Sequence, residues 1–309
     1  MTGASPRILY VGARLVGRRC LEALLAANAD IVGLLYLDES KAGVTVAHCD
    51  FADLVARQRL NARAFTSLAD PALQDWAAAL SPDVGMVVGV SQLIGSELLA
   101  VPRQGFIGMH PTLLPEGRGR APIPWALIKG LERTGVSLFW CDPQADTGDL
   151  LAQEALPIHY EDTAATLGTR ADAIAARMLV DNLPALAAGN APRMQQDDAR
   201  ATEWPRRRPE DGRIDWAQTS RQLYNFVRAL AHPYPGAFTS CRGRRLFVWS
   251  CRESADLRRG APGEVLDVLP HGVLVAVAEG TMLLTRMQWQ DEAEVEAAAS
   301  GLQPGDRFI

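Results

Sequence analysis

The stretch RILYVGARLVGRRCLEALLAANADIVGLLYLD (residues 7–38) decides the fold. RILYVG reads as a strand, GRRCLEALLAAN repeats its apolar residues at helical spacing, and ADIVGLLYLD reads as a second strand. The same rhythm runs on through helices at DFADLVARQRL and DPALQDWAAALS, a buried strand at DVGMVVGV and a short helix near GSELLAV. A strand at FIGMH and a helix from Pro122 to about Lys129 follow. Continuous apolar strands alternating with helices imply an α/β fold with a Rossmann-like, mostly parallel sheet and helices on both faces. Such sheets bind ligands at the carboxyl ends of their strands, and His110 stands at one.

Beyond this core, TGVSLFWCD is a further strand, and PQADTGDLLAQEALPI is a loop leading into an extended piece. A long amphipathic helix is expected from about Thr163 to Leu183, stopped by Pro184. The polar, turn-rich AGNAPRMQQDDARATEW then predicts a boundary, giving domains 1–203 and 204–309. The second reads as one helix (SRQLYNFVRAL), a proline-rich turn (AHPYPGAF) and short strands RRLFVWSC, GEVLDVL, GVLVAVA and TMLLTRM. That is a small β-rich, barrel-like domain of OB type.

Composition excludes several classes. Of the 309 residues, 48% are hydrophobic and 22% charged, and a net charge of −5 gives no global attraction to nucleic acid. Five scattered cysteines form no CxxC pair and stand near no histidine cluster, so neither a metal site nor a disulfide framework is expected. The amino terminus lacks the apolar core of a secretion signal, and no run of about 18 apolar residues suggests a membrane span. A cytoplasmic protein without membrane contact is expected; a homo-oligomer is left open.

His110 has the residue type for acid or base chemistry near neutral pH, and wants a carboxylate to fix its tautomer. Asp146 in ADTGD lies at the end of another strand, with Asp142 and Asp149 as competitors. On spacing alone, the alternative is that His110 caps a strand and ADTGD is an ordinary turn.

The stretch GMHPTLLPEGRGRAPIPWALIKGLERTGVSLFWCDPQADTGDLLAQEALPI settles more, because it resembles the formyltransferases that use 10-formyltetrahydrofolate. Their pattern is roughly Asn-x-His-x-Ser-Leu-Leu-Pro, Arg-Gly-x-x-Pro, Thr-Gly-Val and Asp-x-Gly. His110 matches the catalytic histidine, Thr112 the serine, Leu113 to Pro115 the Leu-Leu-Pro, and Thr134 to Val136 the Thr-Gly-Val. Asp146 with Gly148 matches the Asp-x-Gly. The resemblance implies His110 and Asp146 as catalytic and Thr112, Arg118, Gly119, Arg120 and Pro122 on the acceptor side. SPDVGMVVGVSQLIGSELL looks like the segment whose loop holds the pterin. Val90, Ser91, Gln92, Leu93 and Ile94, with Ala145 and Asp146, are therefore implied as folate-binding, largely through main-chain groups. YNFVRALAHPYPGAF resembles the carboxy-terminal domain of the transfer-RNA and sugar enzymes.

Two departures stand out. The family asparagine, which donates to the formyl oxygen as it gains charge, aligns with Gly108, and loss of one such donor costs about 100- to 1000-fold. A water or Gln92 could replace it, the chemistry could differ, or the fold could only bind; alternatively, glycine here makes room for close packing. At Gly117 many relatives carry a tyrosine, whose absence would enlarge the acceptor side.

The acceptor is expected to be a small, nucleotide-linked amino sugar. YLDESKAGVTVAHCDF resembles the shorter sugar-enzyme version, and RGRAPIPWALIKG is similar to the domain that formylates UDP-4-amino-4-deoxy-arabinose. Methionyl-tRNA is the runner-up, with EWPRRRPEDGR and SCRGRRLF as local basic patches. A non-catalytic folate- or nucleotide-binding relative and a formate-releasing hydrolase are the alternatives of other classes.

Overall fold

The computed structural model describes residues 5–44 and 47–309. The amino-terminal MTGA and positions 45–46, inside the segment likened to the sugar enzymes, lie outside the described residues. The opening unit folds as read, into β1 (Arg7–Gly12), α1 (Leu15–Ala26) and β2 (Asp30–Leu37), with β1 and β2 parallel. Helix α1 buries Gly17, Cys20, Leu21 and Leu24, the i, i+3, i+4, i+7 face its spacing predicts.

The chain continues through α2 (Ala52–Gln58), β3 (Ala62–Phe65), α3 (Pro71–Ala79), β4 (Val84–Val88), α4 (Ser96–Leu99) and β5 (Phe106–His110). The two-residue strand β6 (Arg118–Gly119) precedes α5 (Pro122–Ile128), β7 (Arg133–Trp140) and β8 (Leu150–Pro157). Then come α6 (Ala164–Asp181), α7 (Leu183–Ala187) and β9 (Glu203–Trp204). Asp70 caps α3 by accepting from Ala72 N, and Pro71 occupies the first turn, where its missing N–H costs nothing. Pro184 likewise opens α7 rather than simply stopping α6, which has already ended at Asp181.

The seven-stranded sheet has the order β3-β2-β1-β4-β5-β7-β8. Its strands are parallel as far as β5, whereas β7 runs antiparallel to β5 and β8 to β7. One face is sealed by Leu9, Val11, Leu35, Phe65, Leu73 and Phe106, with Val90 and Cys141 at the border of the cluster.

Two compact units divide the chain. One comprises Met1–Pro122, Arg133–Pro157 and Gly168–Pro205; the other comprises Ile123–Glu132, Ile158–Leu167 and Arg206–Ile309. The second unit contains α8 (Ser220–Leu230), opened by a reciprocal Thr219–Gln222 cap. Six strands follow: β10 (Ala237–Cys241), β11 (Arg244–Ser254), β12 (Val265–Leu269), β13 (Gly272–Ala276), β14 (Thr281–Trp289) and β15 (Val295–Glu296). They form an antiparallel sheet of order β10-β11-β14-β13-β12, with β15 on β14. The final residues bridge its two edges. Ile309 exchanges both main-chain bonds with Ser240 of β10, while Asp306 O accepts from Val265 N at the start of β12. The carboxy-terminal tail thus bonds to both edge strands of this antiparallel sheet. Among the described residues no helix is long and apolar enough to cross a membrane.

Candidate active site

Strand β5 carries His110 to its carboxyl end, where it is 5% exposed and pairs across the sheet with Ser137 of β7. Its Nε2 lies 2.8 Å from the carbonyl of Gly117. A carbonyl only accepts, so Nε2–H donates and Nδ1 is the free ring nitrogen of the neutral imidazole. Nδ1 faces Asp146 Oδ2 at 3.6 Å. Asp146 Oδ2 also accepts from Gly119 N at 2.9 Å, while Oδ1 takes part in neither contact. Both ring nitrogens thus face an acceptor oxygen.

Of the three aspartates left open by spacing, Asp146 is thus beside His110. Asp142 is occupied in shaping the turn, accepting from Gln144 N at 2.9 Å and from Thr147 Oγ1 at 2.7 Å.

The Asp146 loop is held by a residue that sequence reasoning missed. Gln196 donates through Nε2 to the carbonyls of Asp146 (2.9 Å) and Gly148 (2.7 Å). Its Oε1 accepts from Arg118 Nε (3.2 Å) and Nη2 (2.8 Å), and Arg118 Nη2 also reaches Asp198 at 2.6 Å. Strand β6 is fixed in turn by β9 and its approach: Arg118 N donates to Thr202 O and Arg120 N to Trp204 O, both at 2.9 Å. Gln196, Thr202 and Trp204 all lie in the polar stretch that reads as a boundary, and no motif marks them.

The residues expected on the acceptor side separate. Arg118 is buried, with its guanidinium turned inward, whereas Arg120 is exposed and its guanidinium makes no ion pair or hydrogen bond among the described residues. Gly119 supplies the N–H to Asp146, and Pro122 is the first residue of α5. Thr112 is buried, its Oγ1 sealed without a partner while its carbonyl accepts from Ser137 Oγ at 2.7 Å.

The space at Gly108 is filled. It sits opposite Phe139, and a Cβ added there would lie 2.7 Å from Phe139 Cζ and 3.0 Å from Cys141 Sγ. Burial, and then the charges of Asp146 and Asp142, push the Cys141 thiol well above its usual range. Gln92, the candidate replacement donor, has its amide committed elsewhere: Oε1 accepts from Leu68 N at 3.1 Å and Nε2 donates to Thr66 O at 2.9 Å. The enlargement expected at Gly117 is also absent, because the Trp204 ring occupies that room, 2.8 Å from where a Cβ would stand.

The loop after β4 lies beside β1, where the strand order reverses. Ser91 Oγ accepts from Arg14 Nη2 at 2.7 Å, Ile94 is buried, Val90 half-buried, and Leu93 is 64% exposed. Ala145, on the approach to Asp146, is exposed. No group of three or more His, Cys, Asp or Glu among the described residues could hold a metal ion.

Comparison with known proteins adds the wider setting. A family model described as formyl transferase matches residues 20–183, and one described as formyl transferase, C-terminal domain, matches residues 206–301. The methionyl-tRNA formyltransferase of Moorella thermoacetica is 38% identical over 209 residues, 68% of this chain and 67% of that protein. Among solved structures, an N-formyltransferase from Helicobacter canadensis in complex with folinic acid and dTDP-3-aminofucose has a TM-score of 0.68 at 14% identity, covering 90% of this chain and 98% of that one. HypX from Aquifex aeolicus in complex with tetrahydrofolic acid has a TM-score of 0.66 at 20% identity; 95% of this chain matches 46% of HypX, so the chain spans just under half its length. At these identities the structures establish likeness of fold.

Proposed function

The chain belongs to the formyl transferase family, and we propose that it moves a formyl group from 10-formyltetrahydrofolate to the amine of a small, nucleotide-linked amino sugar. The observation that carries this reading is the His110–Asp146 pair, with both ring nitrogens facing acceptors at the carboxyl end of β5.

The folate co-substrate supplies the activated formyl group. The acceptor nitrogen bonds to the formyl carbon, the bond from that carbon to the folate nitrogen breaks, and one proton leaves the amine. Asp146 Oδ1 is the base for that proton, and the His110 ring beside it helps to offset the negative charge that develops on the formyl oxygen. Main-chain groups of Val90 to Ile94 and the Ala145–Asp146 turn would hold the pteridine edge. Their place beside the strand-order reversal supports this.

For the acceptor, several of the second unit's arginines are already matched: Arg221 pairs with Glu253 (2.7 Å), Arg242 with Asp306 (2.6 Å), Arg258 with Asp267 (2.8 Å) and Arg286 with Glu296 (2.7 Å). Those cations are less available to a long polyanion, which binds through unpaired charge. Arg120, free beside Gly119, suits one phosphate of a nucleotide sugar. The second reading, methionyl-tRNA, is favoured by the names of the curated relatives.

The test offers purified protein 10-formyltetrahydrofolate with UDP- and dTDP-amino sugars or methionyl-tRNA, following tetrahydrofolate and formylated product. Sugar formylation should fall about 100-fold or more in His110→Ala, while Arg120→Ala should raise KM for the sugar at near-constant kcat. Formylation of methionyl-tRNA alone would overturn the sugar acceptor. Tetrahydrofolate release without any formylated amine would mean hydrolysis.

A further inference from the structure

We propose that Gln196 is a positioning residue for the Asp146–His110 pair, holding the aspartate through its main chain while Gly119 holds it through its carboxylate. The inference rests on the formyl-transfer reading of this site.

The contacts form a closed ring. Gly119 N–H binds Asp146 Oδ2; its neighbour Arg118 donates twice to Gln196 Oε1; Gln196 Nε2 returns to the Asp146 carbonyl and to that of Gly148. Both ends of Asp146 are thereby referred to the same two residues. Asp146 has φ +60°, a left-handed conformation that aspartate takes at modest cost, and the bonds from Gln196 to the Asp146 and Gly148 carbonyls hold that turn in place. Gln196 is 6% exposed, and its amide bonds on both sides. A carboxamide is the side chain suited to this place, since it must donate to two carbonyls and accept from a guanidinium at once. Misplacement of a reacting group by about 1 Å costs on the order of 100-fold in rate, so the loop's fixing bears on turnover.

The test compares Gln196→Glu, Gln196→Met and Asp146→Asn. Glutamate keeps the Arg118 contact and loses both donors; methionine is of similar length and loses everything without adding charge. In Gln196→Glu, kcat with 10-formyltetrahydrofolate and the acceptor found above should fall at least tenfold, with KM for folate changed less than threefold. The second readout needs no turnover: the His110 ring ¹⁵N resonances at one fixed pH, assigned by their absence in His110→Ala. Asp146→Asn should shift the Nδ1 resonance, which faces the carboxylate, and Gln196→Met should shift it in the same direction. The proposal is overturned if Gln196→Glu keeps kcat within twofold, or if Gln196→Met leaves the ring resonances where the wild type has them. It is overturned equally if Asp146→Asn leaves them unmoved. If no amine is formylated at all, the functional reading fails and the ring resonances alone judge Gln196. Should Gln196→Met not fold, Gln196→Glu, which retains its Arg118 partner, decides.

Discussion

Gly108 and Gly117 lie on either side of His110, and the two spaces where the family resemblance implies larger side chains are closed in different ways. At Gly108 the ring of Phe139 comes from the facing strand, and the backbone is ordinary strand. At Gly117 the ring of Trp204 comes from β9, and φ is +73°. The first exclusion is made by side chains alone, so it is an exchange of packing that substitution can reverse. The second is written into the main chain, which lies in a region that costs a bulky residue dearly.

The largest expected effect tests the second statement. Gly117→Tyr should destabilise by about 4 kcal/mol or more, combining left-handed strain with collision against the indole. Adding Trp204→Ala should relieve the collision and leave the left-handed strain. Urea unfolding midpoints decide; full recovery in the double variant would mean that Gly117, like Gly108, is limited by side chains only.

The next effect sharpens the contrast. Phe139→Ala should cost about 3 to 5 kcal/mol as a filled core is emptied. Gly108→Asn alone should cost about 1 to 3 kcal/mol through overpacking. Together they should cost less than their sum, because the asparagine enters the space the ring has left. Strict additivity would show that Phe139 does not guard the slot. If the slot points at the reacting oxygen, the double variant should also turn over faster than Phe139→Ala, through the added donor.

These contrasts also mark what the sequence could show. Helix α1 was readable because Gly17, Cys20, Leu21 and Leu24 repeat at one period, and β1, β2, β4 and β5 because their apolar runs are continuous. Strand β3 was not, since two of its four residues face water, and the reversal of β7 leaves no mark in a strand buried along nearly its whole length. The nearness of His110 to Asp146 was legible only through the long motif around them; spacing left three aspartates open. The contacts of Gln196 were illegible, since they reach across 50 and 78 residues and its neighbours read as a polar turn. Arg118 and Arg120 look alike in sequence, and only burial tells the committed guanidinium from the free one.

The smallest effect separates the two slots by pH. The Gly108 slot borders the Cys141 thiol, which burial and the nearby Asp146 and Asp142 charges hold protonated well above the usual thiol range. An unfolded thiol ionises near about 8.5. Below that pH both states keep the proton and the native state has its full stability. Above it the unfolded chain gains by ionising while native Cys141 cannot, so stability is lost as pH rises, by up to about 1.4 kcal/mol per unit. Cys20 and Cys251 act in the same direction, so the informative quantity is a difference between variants. From pH 8 to 9.5 the wild type should lose about 1 kcal/mol more than Cys141→Ala, while Trp204→Phe should track the wild type. Parallel losses in wild type and Cys141→Ala would mean that water reaches the thiol, and that the space beside His110 is open where Phe139 and Cys141 are argued to close it.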